Sequence, residues 1–460
     1  MAKKQQNKTA LPEKASPAAG HAPACPQKRK RKRRKNKKKK IDQMEEEKKK
    51  QYLVLRHAAR HPSYSLVELN HTEKTAEHPV PFPNRVASFD GEFNMGFAAM
   101  CPSDGRSWIV GVGGFPGRVD DGGPLDSADT IVFDCKTAAV AKGPPLASPK
   151  YLPLAFAVGD RVYALSRMPN IWVPFDAPPW FEVLDLSNAS FAAAAGGGGR
   201  RRLTGCGSWR VLQPPPLFPA LPGEEELDRL DHAPWTARIE SYAVLGRRYI
   251  LLSASAGSPV AGTVAFDVSA EEWHFVDREK SLPFVGEGVP YGRRLFLGRS
   301  RSKESRDLTT YDIRLRKKVK GGRDWTMAIT EVPLTITMAD DAPAISRQLF
   351  SCLGNGVLYG MGCLSEGIPH DHEIDDDELH IHLYRPVTVS AEEGDEAEAQ
   401  LQGGTVLSSE GSWCMLRLHE PLCRLVTPTL LLLHALPSSI SLLSVLQFLK
   451  NSSTIVHSLF

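Results

Sequence analysis

No C-x-x-C pair occurs among the eight cysteines, and no secretory leader precedes them. Cys25, Cys101, Cys135, Cys206, Cys352, Cys363, Cys414 and Cys423 are scattered along the chain, which argues against a disulfide framework and for a reducing compartment. The patterns G-x-S-x-G, G-x-x-x-x-G-K-S/T and H-E-x-x-H are all missing, which excludes a nucleophile elbow, a phosphate-cradling loop and a helical zinc-protease site of those types. The glycines of GVGGFPGRVDDGG, 111–123, surround Pro116 and lead into no helical pattern, so they read as a loop between strands rather than a dinucleotide turn. No acid–base set can be nominated, and no cofactor is implied.

What the chain does contain is a recurring phrase: an apolar strand closing on an aromatic residue or Leu followed by Asp. It stands as TIVFDCKTAAVAKGPPL (130–146), WFEVLDLS (180–187), GTVAFDVSAEEWHFV (262–276) and LTTYDIRLRKK (308–318). The intervals between Asp134, Asp185, Asp267 and Asp312 are 51, 82 and 45 residues. The long interval holds FAAAAGGGGRRR and GEEELDRLDH, which read as loop insertions, so the underlying period is that of a repeat architecture. Each unit also carries two apolar runs joined by a Gly turn: AVGDRVYALS, YAVLGRRYILLSAS, VPYGRRLFLGRS and SCLGNGVLYGMG. Glycine tolerates the positive φ of tight hairpins, so each unit reads as about four short antiparallel strands.

Together with YLVLRHA, YSLVELN, SWRVLQPPPLF and IESYAVLGRRYILLS, these phrases resemble the kelch-like β-propeller class over 51–420. More closely, they are similar to a plant family, expanded in grasses, of kelch-related proteins whose domain has no assigned function. The resemblance implies an all-β propeller of about five to six four-stranded blades over 51–424. Propellers close by pairing first and last strands, so the strand pair 52–70 is expected to complete the last blade.

Charge is concentrated at one end. Residues 1–50 carry 19 Lys/Arg against 5 Asp/Glu, a balance of +14, which leaves −10 for 51–460 in a chain of net charge +4. The block KRKRKRRKNKKKK comprises Lys28, Arg29, Lys30, Arg31, Lys32, Arg33, Arg34, Lys35, Lys37, Lys38, Lys39 and Lys40, interrupted by Asn36 alone. Like charge without apolar side chains gives no core, so 1–50 is expected to be a disordered basic leader. As an address the block would engage an import receptor and place the protein in the nucleus; as an adhesive it would neutralise nucleic-acid phosphates without reading bases.

The recurrent Trp209, Trp273, Trp325 and Trp413 sit at comparable places in their units and are expected in the core. Trp172, Trp180 and Trp235 lie in Pro-rich stretches and are the candidate partner surface. His370, His372, His380 and His382 stand among five carboxylates between Asp371 and Asp377, but their spacing reads better as an acidic loop entering a strand than as a metal site. From Leu425 to Leu449 no residue is charged; 425–460 is expected to be an apolar tail with a helical form open to it, and 425–449 is the one stretch that could engage a membrane. The functional expectation is a non-catalytic protein-interaction scaffold using propeller loops. Its alternatives are a substrate-recognition subunit of a ubiquitin ligase and an enzyme using the central channel.

Overall fold

The computed structural model describes residues 49–57, 63–69, 85–102, 104–114, 129–169, 176–192, 201–218, 237–255, 262–291, 294–301, 308–317, 325–332, 334–337, 346–354, 357–363, 378–387, 405–417 and 423–434. Contacts divide the chain at 47/48, and everything described belongs to the second unit. Among the described residues the architecture is all β, without helix.

The first sheet contains β1 (Lys49–His57), β2 (Ser63–Leu69) and β3 (Arg85–Asp90), with β27 (Cys423–His434) on the far side of β1. The second runs β4 (Gly96–Met100), β5 (Trp108–Val112), β6 (Thr130–Asp134) and β7 (Ala139–Lys142). The third holds β8 (Leu154–Val158), β9 (Arg161–Leu165), β10 (Phe181–Asp185) and β13 (Arg210–Val211), while β11 (Ser190–Phe191) and β12 (Arg201–Thr204) extend the second sheet beyond β7. Next come β14 (Ile239–Leu245), β15 (Tyr249–Ala254), β16 (Thr263–Asp267) and β17 (Glu272–Asp277). They continue, through a short parallel pairing of β14 with β18 (Phe284–Pro290), into β19 (Leu295–Ser300), β20 (Leu308–Lys317) and β21 (Trp325–Val332). The last sheet is β22 (Leu334–Thr337), β23 (Ser346–Gly354), β24 (Val357–Cys363), β25 (Glu378–Val387) and β26 (Thr405–Arg417), with β22 beside β26.

Successive strand groups stack face to face, so a central strand is buried on both faces and its alternate side chains enter two different cores. On β9, Val162 and Ala164 join the core shared with the second sheet, whereas Tyr163 and Leu165 join the core shared with β14–β17. On β16, Val264 and Phe266 face back toward the third sheet, and Ala265 faces forward against Phe284 and Phe296. Tyr52, Tyr64, Phe97 and Phe133 fill the space between the first two sheets. This double burial explains why the strands read as unbroken apolar runs, as in WIVGV of β5, every residue of which is buried.

The recurring Asp has a recurring task. Its carboxylate accepts the amide two residues on, Lys136 to Asp134 at 3.1 Å, Ser187 to Asp185 at 2.9 Å and Ser269 to Asp267 at 2.9 Å, which fixes the turn leaving the strand. The Arg after the hairpin Gly closes on the same carboxylate: Arg161 on Asp185 at 3.4 Å, Arg248 on Asp267 at 2.9 Å and Arg294 on Asp312 at 4.0 Å. Gly159 and Gly246 sit at φ 63° and 62° with open space around the missing Cβ, so the turn backbone itself is what calls for glycine.

The recurrent Trp residues reach back onto the preceding sheet. Trp209 donates its indole N–H to Thr130 Oγ1 and Pro144 O, both at 3.0 Å, and Trp273 donates to Gln213 O at 2.9 Å. Trp325 stacks against His274 at 5.3 Å and meets Tyr249 edge-on at 5.5 Å. The side chain of Trp413, on β26, is outside the described residues.

Strand β27 pairs antiparallel with β1 from Lys49↔His434 to His57↔Cys423, joining the two ends of the unit. The first ten residues of the expected apolar tail therefore form strand rather than helix. Pro428 falls in the interruption between Leu53↔Leu430 and Leu55↔Leu425, where its missing N–H costs the ladder nothing. No helix among the described residues is long and apolar enough to cross a membrane; 435–460 and residues 1–48 of the basic leader 1–50 lie outside them, while Lys49 and Lys50 begin β1.

Burial works against ionisation of Asp267, but Arg248 and the donors of Ser269 and Ala270 outweigh it and lower the carboxyl to about 2. Its stabilising effect is present above the unfolded value of about 3.9 and is lost as pH falls through about 2. Urea unfolding of Asp267→Ala at pH 7 should show a loss of about 1.5–3 kcal/mol, the range for hydrogen bonds to a charged acceptor. The same change at the more exposed Asp185 should cost about 1 kcal/mol or less.

Candidate functional site

Because the strands alternate in direction, the connections fall on two rims. On one rim lie the hairpin turns and the Asp turns, laced together across sheets. Arg106 donates to Leu186 O at 2.7 Å and Ser187 O at 3.0 Å, and Arg210 grips Glu271 through two bonds of 2.8 and 2.6 Å. Arg161 adds a third at 3.2 Å. Charge-assisted, partly bidentate pairing of this kind holds one sheet's turns to the next.

At the opposite rim stand the described residues 113–114, 129, 143–153, 166–169, 176–180, 212–218, 237–238, 255, 262, 278–283 and 301. Contacts between the described ends of these connections confirm the grouping. Gly114 N donates to Lys150 O at 2.8 Å, Ile239 N to Arg167 O at 2.9 Å and Leu282 N to Ser253 Oγ at 2.9 Å.

At the base of this second rim is a buried polar cluster. The Lys150 and Glu182 side chains are both 0 % exposed and meet at 2.5 Å. Lys150 Nζ also donates to Pro179 O at 2.8 Å and Ser148 Oγ at 3.2 Å, so all three of its protons have acceptors. Glu182 Oε2 accepts Ala147 N at 2.8 Å, and Ser148 Oγ donates to Ala177 O at 2.9 Å. Asp176, 2 % exposed, accepts Tyr151 N at 3.2 Å, and its carbonyl accepts the Trp180 indole at 2.8 Å. The cluster ties 143–153 to the closing end of 166–180, fixing where two of the rim's connections stand.

Burial pulls the Lys150 ammonium below its usual range, with Glu182 acting against that pull. Burial likewise raises the Asp176 carboxyl to about 7, against the opposing effects of Ser166, the Tyr151 amide and Lys150. Glu287 on β18 is exposed, and its register partner on β14 is Tyr242, whose ring meets Phe156 of β8 edge-on at 5.6 Å.

Residues of the first and second sheets, Phe89, Ile131, Val140 and Lys142 among them, line a cavity of about 580 Å³. Lys142 pairs with Asp129 at 2.7 Å. Among the described residues Cys101, Cys135 and Cys206 form no disulfide, and each is half-buried.

Of the residues expected to form a partner surface, Trp180 is corrected to core. It is 3 % exposed, bonded to Asp176 O and packed edge-on against Phe218 at 5.7 Å. Trp172 and Trp235 lie outside the described residues, but the strand ends that bracket them, in 166–180 and 212–238, belong to the second rim. Lys28–Lys40 also lies outside them. His370 and His372 do as well, whereas His380 and His382 are alternate positions of β25 and share a face. Among the described residues no group of three or more His, Cys, Asp or Glu could hold a metal ion. No spacing in the chain points to the Lys150 cluster; its one signal is Glu182, a charge inside a strand that is otherwise apolar up to its closing Asp185.

Residues 48–402 match the family described as protein of unknown function (DUF1668). A search of curated proteins found no match.

Removing either partner of the buried pair should be costly: Glu182→Leu and Lys150→Met are each expected to lose about 3–5 kcal/mol, and the double variant much less than their sum. Urea titration of the four proteins measures this. Asp176, whose folded carboxyl is raised, adds stability that is complete below about pH 4 and is lost as pH rises through about 7. Asp176→Asn should therefore narrow the difference in unfolding midpoint between pH 5 and pH 8, with its gain appearing at pH 8.

Proposed function

The chain belongs to that family, and because the family's description assigns no activity, we propose from the geometry that it is a non-catalytic recognition scaffold built as a six-bladed, kelch-like propeller. The inner strands would be β27, β4, β8, β14, β18 and β23, each beginning one four-stranded blade. Pairing of β27 with β1 supports closure, since it unites strands from the two ends of the unit in one sheet. The observation that carries the functional reading is the difference between the rims. One is cross-tied by Arg106, Arg161 and Arg210, and on the other the Lys150–Glu182 cluster anchors two connections, 143–153 and the end of 166–180, at their bases. Loops on a rigid scaffold are where binding residues concentrate.

Trp172 and Trp235 enter this reading as contacts for a protein partner, and Lys28–Lys40 as the segment an import receptor engages to bring the scaffold to the nucleus. Cross-linking of the full chain to the partner it captures should place cross-links on the second rim. Cross-links confined to the hairpin rim, or capture lost when only 28–40 is deleted, would contradict the scaffold reading. Deleting 28–40 from a fluorescently tagged chain should abolish nuclear accumulation; an unchanged nuclear signal would sink the targeting role.

A further inference from the structure

Three polar side chains without a hydrogen-bond or ion-pair partner among the described residues gather at β14, a grouping that core packing does not explain. Tyr242 belongs to β14 itself; the residue is 9 % exposed, its ring buried among Phe156, Tyr163 and Leu165. Arg167 follows β9 on the face that Tyr163 and Leu165 turn toward β14–β17, and its carbonyl accepts Ile239 N at 2.9 Å. Its Nε is buried and donates to nothing. Glu287, exposed on β18, lies directly beside Tyr242 in the parallel pairing of β14 with β18.

The Tyr242 hydroxyl is held between these two charges. Burial raises its pKa, the Glu287 carboxylate adds to the rise and the Arg167 guanidinium opposes it. Arg167 and Glu287 both act on one hydroxyl and yet do not pair with each other, which leaves a space between opposite charges. Beside it, Gly286 has open ground where a Cβ would stand. On the Arg167 side cations are in excess: Arg238 adds to the unfavourable setting of Arg167, and Glu240, which relieves it, is itself taken by Arg301 at 2.8 Å.

We propose that this space binds a small zwitterion of the amino-acid class, its carboxylate on Arg167, its ammonium on Glu287 and the Tyr242 hydroxyl between them. A guanidinium presents paired donors that match a carboxylate, a carboxylate accepts from an ammonium, and a phenol serves either head. A simple anion or a simple cation leaves one of the two charged side chains unanswered. The site rests on β9, β14 and β18 alone, and needs neither a protein partner nor ring closure.

Calorimetric titration of the full chain with glycine, γ-aminobutyrate, butyrate and butylammonium tests it. Saturable one-to-one binding is expected for at least one zwitterion, and the tighter of the two reports the span between the charged groups. Butyrate and butylammonium should bind at least tenfold more weakly. Glu287→Gln, a change at an exposed side chain, should weaken the zwitterion at least tenfold, to the level of butyrate, without moving the thermal midpoint. Arg167→Gln should instead bring it to the level of butylammonium. A merely structural effect weakens every probe alike, so the opposite splits of the two variants carry the test. No saturable heat with either zwitterion, butyrate or butylammonium binding as tightly as both, or a Glu287→Gln chain that titrates like the unaltered one would overturn the proposal.

Discussion

Burial of each sheet on both faces is the constraint from which the rest of the structure follows. A single-layer sheet between two others has no solvent side, so its strands must be apolar at consecutive positions and its polar groups must be resolved at the strand ends. The recurring Asp does this at one end, where it takes the turn amides and the preceding sheet's Arg residues reach across to tie the turns together. Because every interior sheet shares its two cores with different neighbours, no sheet has a core of its own, and stability is a property of the series.

The same constraint accounts for the buried ion pair. Glu182 occupies an interior position of β10 where the pattern calls for an apolar residue, and a carboxylate there is tolerable only with a cation and further donors. Lys150 supplies the cation, and the amide of Ala147 supplies a second donor. Such a pair is a weak source of stability compared with apolar packing, but it accepts only one placement of the segments that carry it. Its consequence is therefore positional: 143–153 and the end of 166–180 are held in register at the base of the loop-bearing rim.

Much of the fold was legible from local chemistry. The Gly turns, the Asp ends and the recurring Trp residues each mark a place where the backbone or an inter-sheet contact leaves little choice of residue. What was not legible depended on distant partners. Trp180 was expected to face a partner because prolines surround it, yet the Asp176 carbonyl and Phe218 draw it inward. Residues 425–434 lacked alternation and contained Pro428, and only the pairing with β1, with its interruption at the proline, makes a strand of them. Lys150 and Glu182 are 32 residues apart, so neither announces the other.

In the proposed propeller a rigid loop-bearing rim requires the series of sheets to be closed, and the pairing of β27 with β1 is where closure would be made. Amide hydrogen exchange of the full chain, compared with a chain ending at residue 422, measures this most directly. Strong protection of Gln51–Leu55 in the full chain, lost on truncation while β15 and β16 stay protected, is the expected result. Equal protection of Gln51–Leu55 in both chains would contradict closure through β27.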